Sequence, residues 1–195
     1  MPGGRSRRVR GMPAASFRHV GYHGPMAEYA HISHGFEPVF DGRSRVLVLG
    51  SFPSVLSREN RFYYGNPRNR FWPMMADLLD EPAPAVDDVP AKRALLLRHG
   101  VALWDVIESC DVRGSSDASI RNVVPADVAR ITRAAKIRAV LCNGGTAGRL
   151  YRRWLEPVTA IRAEVLPSTS PANASWSLAR LTERWRAALL PALGE

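Results

Sequence analysis

From Val46 onward, short apolar runs alternate with stretches in which apolar residues recur every three or four positions. Val46 to Leu49 reads as a central strand, and Gly50 ends it in the turn GSFPS. Phe71 to Leu79 reads as a short helix, and Glu81 to Pro90, rich in prolines and acids, as a surface loop. A helix over Ala91 to His99 then stops at Gly100, and Val101 to Trp104 forms a second strand running into Asp105. Pro125 is placed to open a helix reaching about Ala135, because proline suits a first helical turn. Ile137 to Leu141 is a third strand, and Asn143, Gly144 and Gly145 turn tightly into a helix from about Thr146 to Leu155. Thr159 to Leu166 is a fourth, less apolar strand, which runs into the loop PSTSPAN, Pro167 to Asn173. The last helix carries Leu178, Leu181, Trp185, Ala188 and Leu189 on one side and Arg180, Glu183, Arg184 and Arg186 opposite.

Repetition of strand and helix predicts an α/β fold, a three-layer α/β/α sandwich around a central, mostly parallel four-stranded sheet. In such sheets ligands gather outside the carboxyl ends of the strands. Those ends deliver Gly50 to Ser54, Trp104 with Asp105, Asn143 to Gly145, and Pro167 to Pro171, so polar and glycine residues converge on one edge and a pocket is expected there. The segment Tyr63 to Trp72 adds two tyrosines, two asparagines, two arginines, a phenylalanine and a tryptophan within ten residues. A loop that merely caps the core does not need that density of stacking and hydrogen-bonding groups.

Composition narrows the class. At 195 residues and 46% hydrophobic content the chain can bury one sizeable core, which favours a single domain over residues 37–195. The net charge is +9, and it is unevenly placed. Arg5, Arg7, Arg8, Arg10 and Arg18 precede the first acid, Glu28, so of 27 basic residues five lie in the first 27 positions, leaving 22 against 18 acids. Residues 1–36 therefore read as a disordered basic arm that adds phosphate contacts, the alternative being a start codon placed too early, with Met12 and Met26 as later starts. A mildly basic body supports a polyanionic partner without establishing one. Cys110 and Cys142 are far apart, and Cys142 sits in an apolar run, so reduced thiols in a cytoplasm are expected. Of five histidines, four fall in the first 34 residues and none forms a metal-ligand pattern. No apolar stretch is long enough to span a membrane, and the Arg-rich start lacks the apolar core of a secretory signal.

Three blocks carry a specific resemblance: LGSFPS with FYYGNPRNRFW downstream, GVALWDVIESC at 100–110, and LPSTSPAN at 166–173. In order, and each at a strand end, they resemble the uracil-DNA glycosylase superfamily, and within it the hypoxanthine-DNA glycosylase (DNA-deoxyinosine glycosylase) branch. The resemblance spans roughly residues 37–190 and implies a cytoplasmic, monomeric DNA repair enzyme of base excision. Such an enzyme flips a deaminated base, hypoxanthine or uracil, out of double- or single-stranded DNA and hydrolyses its N-glycosidic bond without metal or cofactor.

The resemblance also implies roles, and the plainer role of each residue stands beside it. In the first motif Phe52 occupies the place where relatives carry an Asp or Asn that activates water; with Ser51 it falls in the base-binding set. Asn69 matches the asparagine held to compensate in the hypoxanthine branch, as a hydrogen-bonding group rather than a strong base; otherwise it is a helix N-cap before Phe71. Asp105 stands where uracil-specific relatives place a base-reading asparagine, so it joins Asn69 as a catalytic candidate; its plainer role is to cap a following helix. Tyr64 is expected to stack on the base, or else to pack in the core; Asn143 faces the pocket, or else simply turns the chain. Ser168 replaces the histidine many relatives use to support the leaving base. The loop residues Ser168, Thr169, Ser170, Ala172 and Asn173 are expected to face DNA, with Ala172 alone at the wedge position and Arg68 and Arg70 on phosphate. A glycosylase for another damaged base and a DNA-binding lesion sensor without catalysis remain the competing readings.

Overall fold

The computed structural model describes residues 28–113 and 119–194. In chain order its elements are β1 (Tyr29–Ser33), β2 (Val46–Gly50), α1 (Val55–Glu59), α2 (Phe71–Leu78), α3 (Val89–Arg98), β3 (Val101–Asp105), β4 (Ile107–Arg113) and β5 (Arg121–Pro125). There follow α4 (Ala129–Ala134), β6 (Ala139–Asn143), α5 (Gly145–Trp154), α6 (Glu156–Thr159), β7 (Ala163–Leu166) and α7 (Leu178–Leu193). The expected four-stranded sheet is present and wholly parallel, in the order β3-β2-β6-β7. Its two most apolar strands, β2 and β3, are buried along their whole length, as strands covered by helices must be. The outer edge of β3 is closed by Val39, which exchanges backbone hydrogen bonds of 2.8 and 2.9 Å with Leu103.

The chain steps from β2 to β3 in one direction and then crosses back to β6. With right-handed crossovers this puts the connecting helices on opposite faces, and the contacts agree: α2 packs on α7, and α4 on α6. The reversal point lies between β2 and β6, where doubly wound sheets open a crevice. Phe71 on α2 meets Trp185 on α7 edge-to-face at 6.3 Å, both fully buried, so the aromatic end of the Tyr63–Trp72 segment anchors the helical layer.

Four expectations need correction. Pro125 ends β5 instead of opening a helix; it pairs with Ile107 at a strand terminus, and α4 begins only at Ala129. The fourth strand starts at Ala163, because Glu156–Thr159 with its Pro157 makes a single helical turn and Ala160 adopts φ +54. Leu178 is exposed, so the buried stripe of α7 begins at Leu181. A second, antiparallel sheet in the order β1-β4-β5 has no counterpart in the predicted elements. Its β1 draws residues 29–33 into the folded body, and His34 is buried, so the arm boundary at 36 is too late; the rest of the arm lies outside the described residues. Among the described residues no helix is long and apolar enough to cross a membrane.

Candidate active site

A cavity of about 250 Å³ opens at the carboxyl ends of the parallel strands, at the β2/β6 crevice. That is just under the ~300–1,000 Å³ of pockets for drug-sized ligands, so it suits one small ring system better than a large cofactor. Ser51, Phe52, Tyr64, Asn69, Asp105, Asn143 and Ser168, the expected catalytic and base-binding set, line it together. Thr169 and Ser170, expected to face DNA, line it as well, and Thr169 is fully buried, its side chain turned inward onto Asn143 and Asn69 instead of toward DNA. Val112 and Ile120 of the antiparallel hairpin supply an apolar wall that the sequence pattern did not disclose.

Two glycines let the site close up. A Cβ on Gly50 would lie 2.1 Å from Asp105 Oδ1, so only glycine lets that carboxylate sit across the end of β2. Gly144 has φ +98, and a Cβ there would lie 2.9 Å from Ser168 Cβ.

A chain of hydrogen bonds joins the Tyr63–Trp72 segment to the PSTSPAN loop through Asn143 of the NGG turn. The Asn143 amide nitrogen donates to Tyr64 Oη at 3.0 Å and to Thr169 Oγ1 at 2.9 Å, while its oxygen accepts from the Thr169 N–H at 3.0 Å. Thr169 Oγ1 in turn donates to Asn69 Oδ1 at 2.9 Å, and the same oxygen accepts from the Phe71 N–H at 3.0 Å. Asn143 thus spends both amide hydrogens within the protein and acts as a clamp between Tyr64 and the PSTSPAN loop. Asn69 divides its labour: its oxygen makes an Asx turn into α2, and its NH2 has no partner among the described residues.

Tyr64 sits at φ +52, a costly conformation for a bulky residue, and its ring stacks on Phe71 at 4.1 Å and 27°. Burial, and then the Asp105 carboxylate, push its hydroxyl far above the usual tyrosine range, so it stays neutral at any physiological pH. Asp105 is 4% exposed and is followed by β4, so the helix-cap role fails for want of a helix. Its Oδ2 lies 2.9 Å from His34 Nε2, a partner that no local sequence signal selects.

Arg70 does not reach outward to phosphate. Its guanidinium donates to the carbonyls of Thr169 at 3.3 Å, Ser170 at 2.5 Å, Asn173 at 3.1 Å and Trp176, holding the PSTSPAN loop in shape. Replacing Arg70 with alanine should lower stability by ~1.5–3 kcal/mol, the scale of one charge-assisted hydrogen bond, and expose the loop to protease. Thermal melting with limited proteolysis checks this; unchanged melting with weaker DNA binding would return Arg70 to the phosphate role. Arg68 is exposed, as is Ala172 at the loop tip, and Asn173 is tied back to the Ser168 carbonyl at 2.9 Å. The larger exposed apolar residues beside the mouth are Val55 and Leu56 of α1, at 42% and 40%.

The cavity offers neither an amine for a Schiff base nor, among the described residues, a metal cage. No lysine lines it, and no group of three or more His, Cys, Asp or Glu is arranged for a metal among the described residues. Burial pushes the Cys142 thiol up to about 12, so it is no thiolate near neutrality.

The Uracil DNA glycosylase superfamily model matches residues 37–194 of this chain. A hypoxanthine DNA glycosylase of Methanosarcina acetivorans is 34% identical over 158 residues, covering 80% of this chain and 97% of its own length. Its namesake in Methanosarcina barkeri is 30% identical over 140 residues, covering 71% and 87%. The solution NMR structure of a candidate uracil DNA glycosylase from Methanosarcina acetivorans superposes with a TM-score of 0.68 at 32% identity, covering 83% of this chain and 98% of that one.

Proposed function

The chain belongs to the uracil DNA glycosylase superfamily, and from that membership we propose that it is a monofunctional glycosylase excising hypoxanthine from deoxyinosine in DNA. The observation that carries this reading is a cavity sized for one base, lined by Asn69 and Asp105, in which the Asn69 NH2 and Asp105 Oδ1 have no partner among the described residues.

A base in a duplex cannot reach such a cavity, so the nucleotide must leave the stack, at a cost of a few kcal/mol. Tyr64, backed by Phe71, offers a flat face to hold it. The bond from C1′ to the base then breaks with its electron pair leaving on the base, which takes up a proton, and water delivers hydroxide to C1′. A positioned donor stabilises charge as it develops, and the Asn69 NH2, oriented by the two bonds to its own side-chain oxygen, is such a donor. An amide is too weak a base to deprotonate water near neutrality, so Asn69 orients and stabilises rather than abstracts. The absence of lysine from the cavity favours release of an intact abasic site over strand cleavage. The protein acts as a monomer, on uracil more weakly than on hypoxanthine, because Phe52 and Ser168 replace two groups that serve uracil excision in relatives.

The basic arm extends the footprint. Deleting residues 1–26 removes five arginines and should weaken non-specific DNA binding and flatten its salt dependence, at about 0.9 unit of slope per lost phosphate contact. Single-turnover excision should stay nearly intact. Titrations at several salt concentrations measure the slope, and an unchanged value would mean that the arm does not touch DNA.

The function is tested by incubating the protein with otherwise identical duplexes carrying inosine, uracil or xanthine, then treating with alkali. Cleavage strongest at inosine supports the reading; cleavage elsewhere but not at inosine reassigns the base.

A further inference from the structure

His34 is a buried titratable group that the excision scheme above does not use. It is 1% exposed, held between the rings of Phe36 at 4.3 Å and Tyr63 at 5.7 Å, and its two nitrogens have different partners. Nδ1 lies 2.9 Å from the Phe36 carbonyl, and Nε2 lies 2.9 Å from Asp105 Oδ2. A carbonyl can only accept, so Nδ1 carries a proton and donates it. The Nε2–Oδ2 contact needs one further proton, carried by either atom. As imidazolium with carboxylate, or as imidazole with carboxylic acid, Oδ2 is committed to His34 and Oδ1 bears no proton.

Oδ1 is the oxygen left for the cavity, packed over Gly50 where no side chain intervenes. We propose that His34 is a positioning residue that makes Asp105 a one-way acceptor, and that this acceptor selects bases whose ring nitrogen carries hydrogen. The proposal rests on the glycosylase reading and supplies its specificity. Deamination turns the ring lone pair of adenine N1 into the N1–H of hypoxanthine, and that of cytosine N3 into the N3–H of uracil. An acceptor at this edge welcomes hypoxanthine and uracil and sets oxygen against a lone pair in adenine and cytosine, the bases they derive from; guanine and thymine, which carry the same ring N–H, are not rejected by this contact. Sites built to bond a substrate N–H reject analogues lacking it by as much as ~10⁴–10⁵-fold. A carboxylate free to turn would lose the fixed placement of that acceptor, and one that presented a protonated oxygen to the cavity would lose the discrimination itself.

Asp105→Asn separates orientation from charge. With Nδ1 still donating to Phe36, neutral Nε2 accepts an amide hydrogen from the introduced side chain and leaves the amide oxygen on the cavity, so the acceptor survives. Single-turnover excision from an inosine duplex should fall only about tenfold in Asp105→Asn. It should fall about tenfold in His34→Ala and recover in His34→Gln, whose amide can donate to Oδ2. Combining His34→Ala with Asp105→Asn frees the amide to turn and should cost about a hundredfold beyond Asp105→Asn alone, the non-additivity expected of coupled residues. If His34→Ala does not fold, Gly50→Ala serves in its place, since its Cβ displaces Oδ1 with the imidazole intact, and a loss of about tenfold is expected.

Loss beyond a thousandfold in Asp105→Asn would overturn the proposal, because the charge would then be the working feature. Wild-type rates in folded His34→Ala, or in Gly50→Ala, would overturn it equally. Imidazole nitrogen-15 spectra judge His34 without turnover: Nδ1 must bear the proton in both wild type and Asp105→Asn, and a bare Nδ1 refutes the mechanism. A wild-type protein inactive on inosine, uracil and xanthine duplexes would sink the glycosylase reading separately, with the spectra still deciding the geometry.

Discussion

Replacing Asn69 with alanine is expected to slow excision from an inosine duplex by roughly two to three orders of magnitude, the range for losing one charge-stabilising donor. The variant should also melt lower, because Asn69 Oδ1 holds the Phe71 N–H and the Thr169 hydroxyl, and such capping bonds are worth ~0.5–2 kcal/mol. Asn69→Asp tells the two contributions apart. Aspartate keeps an oxygen for both bonds but lacks the NH2, so it should melt close to wild type and excise about as slowly as alanine. Affinity for the inosine duplex should change little in either variant. Full activity in Asn69→Asp would mean that the oxygen is the working atom and that the donor role is wrong.

Tyr64 carries the second large effect. Phe52 offers the cavity no carboxylate, so excision depends on holding the flipped base well. Base stacking on an aromatic ring is worth ~1–3 kcal/mol, and at about 1.4 kcal/mol per decade Tyr64→Ala should cost tenfold to a hundredfold in single-turnover rate. Tyr64→Phe keeps the ring and its stack on Phe71 and loses only the hydroxyl that accepts from Asn143, whose amide still bonds Thr169. Near-normal excision is therefore expected for phenylalanine. Equal, severe loss in both would show that the hydroxyl matters and stacking does not; no loss in either would place Tyr64 outside the reacting complex.

How much of this was legible in the sequence depends on how local each cause is. A strand buried on both faces needs a continuous apolar run, so Val46–Gly50 and Val101–Asp105 announce themselves. Once the strands are placed, the switch point puts GSFPS, Asp105, Asn143 and PSTSP around one crevice without further information. The antiparallel sheet hid because register shifts between Ile107 and Ser109, and again between Ser109 and Asp111, break the alternation that marks such strands. Arg70 looked like a surface cation because its partners are carbonyls about a hundred positions later in the chain. Asn69 showed its residue type but not its orientation, which Thr169 sets from equally far away. His34 was absorbed into a glycine- and histidine-containing leader, and nothing in its neighbours signals a carboxylate 71 positions downstream.

Whether this chain removes hypoxanthine from DNA is decided by a single-turnover reaction. Excess protein is incubated with a duplex carrying a single inosine and with its adenine counterpart, and the released base and alkali-labile sites are followed over a single turnover. The expected products are free hypoxanthine and an abasic site that breaks only on alkali treatment, with no reaction at adenine. Tight binding to the inosine duplex with no base released, from a folded protein, would contradict hypoxanthine removal and leave a lesion-binding protein in place of an enzyme.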